Sequence, residues 1–133
     1  MGQGEQLGVI GKQNKYNFMN LVRLNIGGKT REFHFGLGFI GAFLEASKIS
    51  MSEIDAKLQE NPFKYIPEMM YHSLKYAELR NKNEIDFDAF DVSEWIDEAG
   101  GIGSQVVVDF STAFFQSLTK DVPKAEEDKK KVT

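Results

Sequence analysis

The run Gly36-Leu37-Gly38-Phe39-Ile40-Gly41 fits the G-x-G-x-x-G pattern that cradles phosphate groups at the start of a helix. That chemistry needs a strand before the glycines, a helix after them, and a second parallel strand ending in an acidic residue about 20 positions further on. The first two conditions are met. The third fails, because residues 50–59 open as a helix and contain no β-branched run. A kinase-type glycine loop would need a lysine-bearing strand next, which is also missing. The glycines therefore read as a corner between strand and helix where backbones pack closely.

Other reactive groupings are equally sparse. The chain has no cysteine, which excludes a disulfide framework, a thiolate zinc site and a cysteine nucleophile. Its two histidines, His34 and His72, lack companions at metal-ligand spacing and read as surface or boundary residues. Asp86, Asp88 and Asp91 do not meet the calcium-loop spacing with its central glycine and terminal glutamate. No nucleophile, base and orienting group can be assembled, and the carboxylates fall at helix starts where capping explains them. The expectation is a protein that is not an enzyme, with no catalytic residue, cofactor or metal. One grouping suits recognition instead: Phe87, Phe90 and Trp95 lie among acidic residues, as an apolar anchor with a charged rim would. Trp95 fits the core equally well.

The elements that must position these residues start with two alternating runs around Gly27-Gly28. A tight turn there sets Val22 against Phe33, Arg23 against Glu32, Leu24 against Arg31 and Asn25 against Thr30. One face then collects Val22, Leu24, Ile26, Phe33 and Phe35, and the other Arg23, Asn25, Thr30, Glu32 and His34, the period of a half-buried hairpin. Since a lone hairpin is marginal in water, helices must cover its apolar face.

The helices follow from spacing. Leu37, Ile40, Phe43 and Leu44 make a first stripe, ending at residues 47–50. Ser50 with Glu53 fits a capping box opening a brief helix with Ile54 and Leu58 inward. Asn61-Pro62 starts the longest pattern, Phe63, Ile66, Met70, Leu74 and Ala77, with Pro67 predicting a kink and a main helix from about 67 to 79. Residues 80–83 read as a polar loop. Asp91 is expected to cap a helix with Val92, Trp95, Ile96 and Ala99 on its apolar side, closed by Gly100. Ser104 then opens a last helix bearing Val107, Phe110, Phe114 and Leu118. The β-branched Val106-Val107-Val108 favours a strand, but the 3 to 4 spacing persists for about a dozen residues, too long for an ordinary strand. The fold class is thus α+β, mostly α: an N-terminal β-hairpin with four to five short helices packed on it.

At 133 residues and 41% hydrophobic, the chain suits one compact domain at 21–119. Residues 1–20 read as a flexible leader and 120–133 as a disordered charged tail. The start lacks a secretory pattern, Gln6 stands where a myristoylation signal wants Ser or Thr, and no apolar run is long enough to span a bilayer. The net charge of -4 is unevenly spread: residues 83–119 contain no Lys or Arg, while Glu84, Asp86, Asp88, Asp91, Glu94, Asp97, Glu98 and Asp109 all fall there. This argues against nucleic acid and fits either a solvated acidic face or a partner with a basic one.

The order of these parts carries a resemblance. The segment Leu24-Asn25-Ile26-Gly27-Gly28-Lys29-Thr30-Arg31-Glu32-Phe33-His34-Phe35-Gly36, then Ile66-Pro67-Glu68-Met69-Met70-Tyr71 and Asp91-Val92-Ser93-Glu94-Trp95-Ile96, resembles the tail assembly chaperones of long-tailed bacteriophages. The resemblance is one of pattern and order over residues 21–118, without a catalytic signature. It implies a non-enzymatic protein in the cytoplasm of the infected host. Its partners would be the tape measure protein, which it would coat, and the tail tube protein, which it would recruit; self-association is left open. A structural virion or adaptor protein of similar fold is the alternative, and a small ligand-binding domain a weaker one. Such chaperones are often made in two lengths by ribosomal frameshifting, for which Lys129-Lys130-Lys131 would supply the adenine-rich codons of a short form.

Overall fold

The computed structural model describes residues 20–120. All of the leader but Asn20, most of the charged tail and the lysine run at 129–131 lie outside these residues. Two strands, β1 (Leu21–Ile26) and β2 (Lys29–His34), pair antiparallel in the expected register, from Leu21 opposite His34 to Ile26 opposite Lys29. Gly27 and Gly28 take φ of 64° and 84°, the left-handed pair that a two-residue turn of this hand requires. Arg23 pairs with Glu32 at 3.0 Å, and the Thr30 hydroxyl donates to Asn25 Oδ1 at 2.5 Å, so the polar face is tied across the strands.

Five α-helices follow among the described residues: α1 (Leu37–Ser47), α2 (Ile54–Glu60), α3 (Pro62–Arg80), α4 (Ala89–Ala99) and α5 (Gln105–Lys120). A 3-10 turn, Met51–Glu53, precedes α2, and the backbone N–H of Ser50 donates to Glu53 Oε1 at 2.7 Å, the expected capping box. Gly100 ends α4 with φ of 121°. The α5 assignment resolves the valine ambiguity: Val107, Phe110 and Phe114 are buried along one helical stripe, and Val108 turns outward.

Several boundaries differ from expectation for identifiable reasons. Asp88, not Asp91, caps α4: Asp91 N donates to Asp88 Oδ1 at 2.9 Å and Asp88 N to Asp91 Oδ2 at 3.0 Å, a reciprocal box starting three residues earlier. The loop before α4 spans 81–88, because α3 continues through Arg80. Pro67 does not divide α3, which runs unbroken from Pro62; its missing N–H removes one helical bond, that to the Phe63 carbonyl, and the helix continues. Phe63 is exposed, whereas Tyr65, Met69 and Ser73 are buried beside the expected stripe, since α3 packs against several elements and needs a broad inner face. On α1 the inner line is Phe39, Phe43 and Ser47, while Leu37 is 89% exposed.

The core is a phenylalanine cluster. Phe33 meets Phe110 at 5.4 Å, and Phe35 contacts Phe39, Phe110 and Phe114 at 5.5–5.8 Å, mostly edge to face. Helix α5 lies along β1 and α3 along β2. The second contact covers the other side of the hairpin: Tyr76 reaches His34, and Asn81 donates to Glu32 at 3.1 Å. His34 is therefore not a surface residue; it is only 7% exposed.

Phe33 has no accessible surface, so Phe33→Asp puts an unpaired carboxylate into this cluster. The expected result is loss of several kcal/mol from the roughly 5–15 that a domain of this size holds. Chemical denaturation with circular dichroism reads it; an unchanged midpoint would contradict the packing.

Candidate functional site

The glycine motif does not face an open anion site. Tyr76, in the fourth turn of α3, packs against it: a Cβ built on Gly36 would stand 2.7 Å from Tyr76 Cε2, and one on Gly38 would overlap Cε1. The missing side chains make room for an aromatic ring, which is the close-packing reading of the motif. Among the described residues no group of three or more His, Asp and Glu is placed to hold a metal ion.

The two histidines are separate. His34 packs edge-on against Tyr76 at 5.4 Å, with Nδ1 buried and lacking a hydrogen-bond partner. Burial first, then the charge of Arg80, pushes its pKa below the usual imidazole value, against an opposing pull from Glu32. His72 sits 3.8 Å from Glu68 Oε1, contacts the Phe43 and Tyr71 rings, and is likewise shifted down, mainly by burial.

The three residues with the recognition signature are divided by the fold. Phe87 is 7% exposed and belongs to the core, contacting Tyr71 at 6.1 Å and Trp95 at 5.7 Å. It is not available as a surface anchor, because the chain between α3 and α4 turns it inward. Trp95 is half-buried. Phe90 is 68% exposed, in the first turn of α4.

Trp95 is held by an arrangement that the sequence only hints at. The Arg31 guanidinium stacks over the indole at 3.9 Å while its Nε donates to the Ile26 carbonyl and Nη2 to the Gly27 carbonyl, both at 2.9 Å. Arg31 thus braces the hairpin tip on α4, and partial burial lowers its pKa against the attraction of Asp86 and Glu78. A Cβ on Gly27 would lie 2.5 Å from the indole, so this glycine is needed for contact as well as for φ. The available signal was the place of Arg31 in the alternation: it shares the apolar face with Phe33 and Phe35.

Between the hairpin tip and α4 lies an open cleft of about 510 Å³, bordered by Asn25, Lys29, Thr30, Trp95 and Glu98. Beside it, the outer side of α4 presents Phe90, Glu94 and Asp97 at spacings of 4 and 3, with Glu98 one turn beyond Glu94. These four side chains are exposed, and the three carboxylates take part in no ion pair among the described residues. The arrangement can bind another chain by an aromatic contact framed by negative charge.

Comparison with protein-family models, with curated proteins and with solved structures gave no match. The structure itself defines the class: an α+β domain, mostly α, in which a two-stranded hairpin is held between helices. No helix among the described residues is long and apolar enough to cross a membrane.

Two measurements probe this region. Gly→Ala inside a helix ordinarily gains about 1 kcal/mol, but Gly38→Ala should lower the melting temperature because the methyl group meets Tyr76, and adding Tyr76→Leu should recover part of the loss. A melting temperature raised by Gly38→Ala alone would refute the contact. For pH, the unfolded chain titrates its histidines near 6.5 and binds more protons there than the folded one. Stability is therefore highest above that pH and declines as pH drops through the lower folded-state values. His34→Phe should flatten the decline between pH 7.5 and 5; a curve parallel to wild type would remove His34 from it.

Proposed function

We propose that this protein is a tail assembly chaperone of a long-tailed bacteriophage, working in the host cytoplasm without enzymatic activity. It binds the tape measure protein before the tail tube encloses it, and helps bring tube subunits to that complex. The observation that carries the reading is the exposure of large apolar side chains on an otherwise well-filled domain: Phe63 is 75% exposed and Phe90 68%, each in the first turn of its helix. Leu37, at 89%, stands at the start of α1. Exposed anchors of this size mark sites where another chain docks.

The chemistry of the target fits. A long, largely helical tape measure protein displays apolar stripes until it is packed, and helices of that kind are recognised by aromatic anchors set along an apolar surface. The order of hairpin, glycine corner and short acidic helices also supports the reading, as the pattern it shares with these chaperones.

Co-expression tests it. The tape measure protein encoded beside this gene should be recovered in soluble form and co-purify with the wild-type chain. Recovery should fall several-fold with the folded double variant Phe63→Ser/Phe90→Ser. The chaperone should be missing from purified virions. Failure to capture the tape measure protein, or a fixed stoichiometry in finished particles, would overturn the proposal, the latter in favour of a structural role.

A further inference from the structure

We infer that the outer face of α4 is a docking surface for a basic amphipathic helix, with Phe90 as the apolar anchor and Glu94, Asp97 and Glu98 as the charged rim. This rests on the chaperone reading and specifies the chemistry of the segment bound. Three observations support it together.

First, this face has no partner among the described residues. Val92 and Ile96 point into the core, and the opposite side of the helix bears Phe90, Glu94 and Asp97 in solvent. Second, among the described residues no ion pair offsets the charge of Glu94, Asp97 and Glu98. The nine lysines and arginines of residues 20–119 all lie before residue 83, whereas eight carboxylates and no base follow. The ion pairs that form elsewhere, Arg23 with Glu32 and Lys57 with Glu60, leave α4 untouched. Third, the face is stiff where it must be. Asp88 and Asp91 cap the helix beside Phe90, and Arg31 clamps Trp95 to the hairpin tip two residues from Asp97. A rigid helix face loses little conformational freedom on binding.

Charge complementarity selects the occupant. A helix whose apolar stripe covers Phe90 would bring its flanking side chains within reach of positions 94, 97 and 98. Lysines and arginines there would be attracted, and acidic side chains repelled. The cleft between Trp95 and the hairpin tip continues the surface past Glu98 and accommodates a side chain from the end of such a helix.

Two synthetic helical peptides with the same leucine stripe, one flanked by lysines and the other by glutamates, provide the test by fluorescence anisotropy with the full-length protein. The lysine peptide should bind and the glutamate peptide should not. Raising salt from about 0.05 to 0.5 M should weaken binding by about tenfold or more, as screening predicts for exposed charges. Glu94→Lys/Glu98→Lys should reverse the preference. Glu45→Lys/Glu60→Lys, which changes the net charge equally on other exposed surfaces, should leave binding within about twofold. Phe90→Ser should weaken binding at both salt concentrations. Melting curves establish that each variant is folded. Equal affinity for both peptides, or equal loss in the two charge-reversed proteins, would overturn the inference. The two readings fail separately: lysine-peptide binding without tape measure capture refutes only the chaperone assignment. Undiminished tape measure capture by Glu94→Lys/Glu98→Lys refutes only this docking face.

Discussion

Phe35 sits where three elements meet, its ring 5.7 Å from Phe39, 5.5 Å from Phe110 and 5.8 Å from Phe114. A two-stranded hairpin has too little surface to hold its own shape, and this junction is what supplies the rest. Each fully buried phenylalanine contributes about 1.5–3 kcal/mol from removal of apolar surface, and edge-to-face pairs add to that. Because the cluster joins β2, α1 and the last helix, the two ends of the described chain are fixed through it. The α5 stripe is therefore part of what makes the hairpin possible.

A second constraint is repeated at two places. Gly27 receives the Trp95 indole, and Gly36 with Gly38 receives the Tyr76 ring. In each case an aromatic side chain from a helix reaches a hairpin end whose backbone is bare enough to be approached. The two ends of the hairpin are thus pinned to different helices, the tip to α4 and the base to α3. Arg31 strengthens the first by satisfying two tip carbonyls and covering the indole at once. Tyr76 strengthens the second by also closing over His34, which is why a histidine in a polar alternation ends up buried.

The contact at the tip holds α4 against the hairpin, while its outer side is uncovered among the described residues. The segment from Glu84 to Thr119 gathers eight carboxylates and has no lysine or arginine of its own. Such a distribution costs the isolated domain some stability through self-repulsion, and it gives a partner of opposite sign both attraction and orientation. An exposed phenylalanine inside that field is unfavourable in water alone, which joins the apolar and the electrostatic observations at a single face.

The sequence by itself determined the hairpin, its register and turn, and the order of the helices, and favoured helix at residues 104–110, where three valines left a strand open until the fold decided. These depend on alternation, on 3 to 4 spacing and on glycines that only one local geometry accommodates. It also indicated that the glycine motif was a packing corner, since the elements a nucleotide site requires were missing. Tertiary structure decided what periodicity cannot. Phe63 and Leu37 follow helical spacing yet lie outside, while Tyr65 and Phe39 lie inside, because the direction of a helix's inner face is set by what it packs against. The Asp88 cap displaced Asp91 because two carboxylates three apart can form a reciprocal box with either candidate in view, and only the path of the preceding loop selects one. Phe87, Phe90 and Trp95 read alike as aromatic residues among acids. The fold separated them into core, solvent and brace, since only the three-dimensional path determines which ring meets the rest of the chain and which stays in solvent.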